Sequence, residues 1–208
     1  MNMLSYEEFK KVISGPITNF MLGAVWATFV LNSISGYIFT GQTILLAFCA
    51  FETLTLVFFL LRTRAFRTSL AVSDWIIALV GTFTGLLFIP GVPTAFWYAG
   101  SILFWIGVAG EILSLSSLNR SFAIVPSLRA IKTGGMYRLV RHPLYASHLL
   151  TYFGYVLQSF SVWNAVIFLV VFSFLLLRIR NEEHYLASED AYRAYQKSVR
   201  WRLIPFVF

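Results

Sequence analysis

Between two long apolar runs, residues 134–145 read GGMYRLVRHPLY, which crowds two arginines, a histidine and two tyrosines into twelve positions. Such a set can hold an anion with its guanidinium and imidazole groups, and a cation or flat ring against its aromatic faces. Gly134-Gly135 permits a tight turn or a close backbone approach to a ligand. Arg141 and Tyr145 are one helical turn apart and can share a face. His142 directly precedes Pro143, which suits the first turn of a helix, so the imidazole sits among unpaired backbone N–H groups. The plainer reading is a basic cluster beside a membrane that touches lipid phosphates.

The opposite charge comes from the segment after the last apolar run. Residues 178–208 read RIRNEEHYLASEDAYRAYQKSVRWRLIPFVF and supply Glu182 and Glu183, three tyrosines, and Arg200 and Arg202 ahead of Ile204-Pro205. Arg178 and Glu182 alone would be an ordinary i,i+4 pair. A plain surface helix has no need of Tyr185, Tyr192 and Tyr195 together, nor of an apolar WRLIPFVF ending. The two segments are expected to fold into one polar site at a membrane surface, with the tail closing over it.

The elements that position them follow from composition. The chain has 208 residues, 58% hydrophobic and 12% charged, against about 25% charged in soluble domains. It reads as a single all-α integral membrane domain, a bundle of five to six transmembrane helices with a C-terminal helical hairpin and cytoplasmic cofactor-binding segments. A polar lead over 1–15 suits a short amphipathic helix on the membrane, with no secretory signal. Spans are expected over Pro16–Ile34, Thr43–Leu61, Val72–Ile89 and Thr94 to about Leu118, since crossing takes roughly 20 apolar residues. The shorter runs Leu144–Phe160 and Ala165–Leu177, broken by Ser159–Asn164, read as the hairpin, and Arg178–Gln196 as a helical extension out of the membrane. All 16 Lys and Arg fall at 10–11, 62–67, 120–141, 178–180 and 193–202, and none at 35–42, 90–95 or 158–164. An even number of crossings puts every basic residue on one side, which the positive-inside rule makes the cytoplasm, with both termini there. A net charge of +7 therefore speaks for anionic lipid rather than nucleic acid.

GGMYRLVRHPLY, then R-x-x-x-E-E-x-x-L from Arg178 to Leu186, then AYRAYQKSVRWRLIP, resembles the isoprenylcysteine carboxyl methyltransferase family. That family belongs to a larger membrane methyltransferase group that includes phospholipid N-methyltransferases. The resemblance covers 119–208; the first 118 residues share only their transmembrane character, as four helices. It implies a helical membrane enzyme that holds S-adenosylmethionine in its C-terminal motifs on the cytosolic side. By position, Tyr137, His142, Pro143 and Tyr145 would line the cofactor pocket, with Glu182 and Glu183 on the cofactor's polar groups. Tyr192, Tyr195 and Arg200–Pro205 would close the site. Many members carry a glycine just after RHP-x-Y; this chain has Ala146-Ser147-His148 instead, which alters close helix approach there.

Methyl transfer from a sulfonium is an in-line displacement in which the protein positions the partners and excludes water. A carboxylate acceptor is already ionised and needs only an arginine to aim it. An amine must lose a proton, to His142, His148 or Glu183. Arg141, Arg202 and Glu111 are the candidate catalytic residues, although Arg141 could equally hold the cofactor or anchor its loop. Glu52 and Glu111 lie inside apolar spans, where a charge costs at least about 2.5 kcal/mol. Each is neutral, paired or facing a polar cavity, and Glu111 either lines the acceptor's route or bonds between helices.

The expected acceptor is a lipophilic or lipidated molecule arriving from the membrane lipid. The short length and lack of a retention signal lean towards a prokaryotic plasma membrane. Cys49 has no partner for a disulfide, and the three histidines lack metal-ligand spacing. Two other readings stand beside this one. A sterol-reductase-type enzyme using NADPH is disfavoured by the short chain and its ending. In a small transporter or assembly protein, Glu52 and Glu111 would be the working groups.

Overall fold

The computed structural model describes residues 16–41, 44–89 and 91–208. The polar lead over 1–15 and the expected start of the second span at Thr43 lie outside the described residues. The described chain forms helices α1 (Pro16–Thr40), α2 (Ile44–Leu61), α3 (Val72–Phe83), α4 (Trp97–Leu118), α5 (Pro143–Gln158), α6 (Val162–Leu186) and α7 (Asp190–Ser198). Four two-residue strands join loops to one another: β1 (Arg67–Thr68), β2 (Val92–Pro93), β3 (Ser127–Leu128) and β4 (Ser159–Phe160). The protein is an all-α membrane protein. Helices spanning Thr18–Thr40, Trp97–Ser121 and Val162–Leu186 are long and apolar enough to cross a membrane, and Leu45–Leu61 and Val72–Leu87 are shorter apolar helices.

Helices pair as α1 with α2, α3 with α6, and α4 with α5. The α4–α5 contact is set by small residues. A Cβ on Gly154 would lie 2.4 Å from the Phe104 nitrogen, and one on Gly107 would lie 2.5 Å from the Thr151 nitrogen. Backbones approach this closely only where both faces are small, as in membrane helix pairs. One apolar cluster joins Trp26, Phe59, Ala78, Leu115, Phe122 and Leu144. Another joins Tyr145 to Ile167, Val171, Leu175, Ile179 and Leu203.

Three boundaries differ from expectation. The first helix does not stop at the Asn32–Gly36 stretch but runs on to Thr40, where Gly41 at φ +67 ends it. Its polar residues are accommodated within the helix: Ser33 is buried and the Thr40 hydroxyl donates to the Gly36 carbonyl at 2.7 Å. In lipid a helix that satisfies its own backbone is favoured over an early break. The third segment is helical only to Phe83 and closes as a 3₁₀ turn over Thr84–Leu87. The hairpin breaks over 159–161, and Asn164 belongs to α6. Its fully buried side chain accepts from the Ile89 N–H (3.1 Å) and donates to the carbonyls of Ile89 (2.9 Å) and Ser159 (3.0 Å). The residue read as a breaker instead ties two turns to a helix.

The strand pairs mark two ends. β1 with β3, and the bonds from Thr63 N–H to Arg120 O and Ser69 N–H to Pro126 O, gather the arginine-bearing loops 62–70 and 119–130. β2 with β4 gathers the turns 91–95 and 158–164, which hold no Lys or Arg.

Candidate functional site

Pro143 begins α5, so the preceding arginine and histidine are held in non-helical backbone at its N-terminus. There they pair with the C-terminal segment: Arg141 N–H donates to Trp201 O (2.8 Å) and His142 N–H to Arg202 O (2.9 Å). The side chains converge on Glu183. Arg141 Nε donates to Glu183 Oε1 at 2.7 Å, His142 Nε2 lies 3.1 Å from the same oxygen, and Arg202 Nε donates to Oε2 at 2.9 Å. Arg141 Nη1 also caps the carbonyls of Val199 (2.9 Å) and Arg200 (2.7 Å). Arg141 thus anchors the C-terminal segment to α6. Leu203 then seats beside Tyr145 in the apolar cluster, while Ile204, Phe206 and Val207 stay exposed.

Glu182 faces the other way. Its side chain keeps 16% exposure against 6% for Glu183, because neighbouring helical residues point about 100° apart. It accepts from the Tyr145 hydroxyl (2.5 Å) and Arg178 Nε (3.1 Å). The Tyr145 ring is fixed as well, stacked on His142 at 5.6 Å between centroids, with the Arg178 guanidinium 5.0 Å from its centre. Arg178 also donates to Thr82 and to the Ala123 and Ile124 carbonyls. The pair read from sequence as ordinary is the joint between α3, α6 and the 119–130 loop.

Two cavities meet at this joint. The smaller, about 130 Å³, lies at the basic end and is lined by Tyr137, Arg141, His142, Tyr145, Glu182, Tyr192 and Tyr195, all expected from sequence, together with Arg129 and Lys132. The larger, about 350 Å³, lies among the helices behind rings such as Trp26, Phe48, Phe51, Phe88 and Phe104, with Glu52, His148 and Arg178 on its wall. Phe122, Leu144 and Tyr145 line both. Burial pushes the Tyr195 phenol up to about 12 and those of Tyr137 and Tyr192 upward too, so all three are neutral at physiological pH. The Tyr195 hydroxyl donates to the Tyr137 carbonyl at 2.7 Å, fixing α7 over the cavity.

Pro143, Glu183, Arg202 and Glu111 line neither cavity. Glu111 accepts from the Thr151 hydroxyl at 2.7 Å and lies 3.4 Å from His148 Nδ1. Of its two sequence readings, the helix–helix bond is the one present, with His148 between it and the larger cavity. The residue that sequence reasoning passed over is Arg129. It is 7% exposed and lines the smaller cavity, and neither Nε nor Nη1 has a hydrogen-bond partner among the described residues. Its signal was a lone arginine inside the otherwise apolar FAIVPSLRAI, 122–131.

Residues 94–193 match the profile of the phospholipid methyltransferase family. A curated protein from Arabidopsis thaliana, Protein-S-isoprenylcysteine O-methyltransferase B, is 32% identical over 110 residues, covering 49% of this chain and 55% of the relative. The chain thus spans about half the length of the curated relative it matches. The profile takes in α4, α5, α6 and Tyr145, and leaves out Tyr195, Arg202 and the α1–α3 wall of the larger cavity. The paired motifs stand in sequence order and their side chains meet in space, and residues 94–193, just under half of the chain, are similar to the phospholipid methyltransferase family.

Proposed function

We propose that the protein is an S-adenosylmethionine-dependent methyltransferase that binds its donor in the smaller cavity and methylates a lipophilic acceptor held in the larger one, at the cytoplasmic leaflet. The observation that carries this reading is the position of Tyr145. It is fixed at hydroxyl and ring, and it stands on the wall common to a polar cavity at the basic end and an aromatic cavity among the helices. Transfer between a water-soluble donor and a membrane-soluble acceptor needs such a junction, because the reacting atoms must meet in line with water excluded.

The residues present fit the donor's chemistry. Glu182 offers a carboxylate towards an ammonium or ribose hydroxyls, Tyr137, Tyr192 and Tyr195 offer rings, and Arg129 offers an unpaired cation. When bound, the group supplies a methyl on a positively charged sulfur. The protein's part is to hold that charge beside aromatic faces, worth about 0.5–2 kcal/mol, and to keep Glu182 oriented through Tyr145 and Arg178. Sites for such ligands usually span about 300–1,000 Å³, so binding requires the smaller cavity to open. The turn at Thr133-Gly134 is exposed, and a Cβ on Gly134 would meet no atom within 4 Å, so nothing packs against that edge. The larger cavity suits an isoprenoid or acyl chain. The basic end is assigned to the cytoplasm by its charge.

The test is equilibrium binding of S-adenosylmethionine to detergent-purified protein. Saturable binding to the wild type is expected, weakened at least tenfold in Glu182→Gln and His142→Ala. Absence of saturable binding to the wild type overturns the proposal.

A further inference from the structure

At Arg129 the smaller cavity holds a buried guanidinium with donors that no described residue answers. Arg129 is only 7% exposed, and its Nε and Nη1 lack any partner among the described residues. A buried guanidinium normally pairs with a carboxylate or with carbonyls, since an unpaired buried charge is costly. Here Glu182 is engaged by Tyr145 and Arg178, and Glu183 by Arg141, His142 and Arg202. Burial, and with it the field of a second cation, Arg62, pushes the Arg129 guanidinium down to about 10. Lys132 lines the same cavity one helical-turn's worth of chain further on. Repulsion, burial and open donors together define a site preset for an oxyanion.

Resting on the donor reading above, we infer that Arg129 is the anion subsite of the smaller cavity and takes the carboxylate of the donor's amino-acid moiety. A guanidinium with open donors gives a carboxylate charge-assisted hydrogen bonds that an ammonium cannot match in geometry. Glu182, on the opposite charge, lines the same cavity, so the two residues sort the carboxylate and ammonium ends of a zwitterion. A phosphate on a lipid acceptor has the same oxyanion chemistry, and the experiment separates the two sources.

Binding of S-adenosylhomocysteine and of 5′-methylthioadenosine, which lacks the amino-acid moiety, is measured on wild type, Arg129→Met and Arg129→Lys. The wild type is expected to prefer S-adenosylhomocysteine at least tenfold. Arg129→Met should lose that preference while binding 5′-methylthioadenosine within about twofold of wild type, and Arg129→Lys should keep part of it. Ligand-free Arg129→Met should melt at a higher temperature than wild type, because an unpaired buried charge is gone, and should gain less from added S-adenosylhomocysteine. An unchanged preference in Arg129→Met overturns the inference, as does equal loss for both nucleosides or a lowered melting temperature. If Arg129→Met keeps its nucleoside affinity but loses affinity for vesicles of an anionic phospholipid, the oxyanion is the lipid's and the inference falls. If the wild type binds neither nucleoside, the donor reading itself falls, a result distinct from all of these.

Discussion

Arg141 and Glu183, 42 positions apart, form a buried ion pair at 2.7 Å that ties the start of α5 to the end of α6. The same carboxylate carries His142 and Arg202, so its removal would strand a buried cation and release the C-terminal segment. Loss of one partner of a buried pair costs about 3–5 kcal/mol. Glu183→Gln should therefore lower unfolding stability in detergent by about 3 kcal/mol. It should also expose the Val199–Leu203 segment to proteolysis before the rest of the chain. Unaltered melting and cleavage would remove Glu183 from its anchoring role.

Tyr145 and Tyr155 separate stability from binding. Each hydroxyl makes one hydrogen bond: Tyr145 to Glu182 at the cavity, Tyr155 to the Ile89 carbonyl at the opposite end of α5. Both Tyr→Phe variants should lose about 1–2 kcal/mol. Only Tyr145→Phe should weaken S-adenosylmethionine binding, by several-fold, since only there does a cavity carboxylate lose its positioning. Equal binding losses in the two variants would detach Glu182 from the ligand.

The α4–α5 contact has no room for a methyl group at Gly154, whereas Gly134 has nothing within 4 Å. Gly154→Ala should lower stability by about 1–3 kcal/mol through overpacking and reduce the yield of folded protein. Gly134→Ala, at φ −98, should leave both unchanged. Thermal unfolding of the two variants in one detergent checks the contrast.

The two ends of the bundle can be told apart chemically. In a Cys49→Ser background, an impermeant thiol reagent should label Val92→Cys from outside the cell. Arg138→Cys should react only after the membrane is opened; both positions are exposed. Labelling of both from the same side would contradict the assignment of the basic loops to the cytoplasm.

What could be read from sequence followed from chemistry that is local or of one sign. The span positions come from apolar runs, and the meeting of residues 134–145 with 178–208 from opposite charges and shared tyrosines. Asn164 was misread because a polar residue at a turn is ambiguous until its partners, Ile89 and Ser159, are in place. Glu182 and Glu183 could not be assigned separate duties, since adjacent helical residues differ only in which neighbour they meet. Arg129 carried a weak signal, one cation in an apolar run, and its lack of a partner exists only in three dimensions.

Under the proposed function, a methyl group passes at Tyr145 from the polar cavity to the lipid side. The direct measurement uses purified protein in vesicles of cellular lipid extract with methyl-labelled S-adenosylmethionine, followed by extraction into organic solvent. Label should accumulate in a lipid-soluble product with wild type and fall at least tenfold with Glu182→Gln. Label that stays wholly in the aqueous phase, with acceptor lipids in excess and the donor bound, would contradict it.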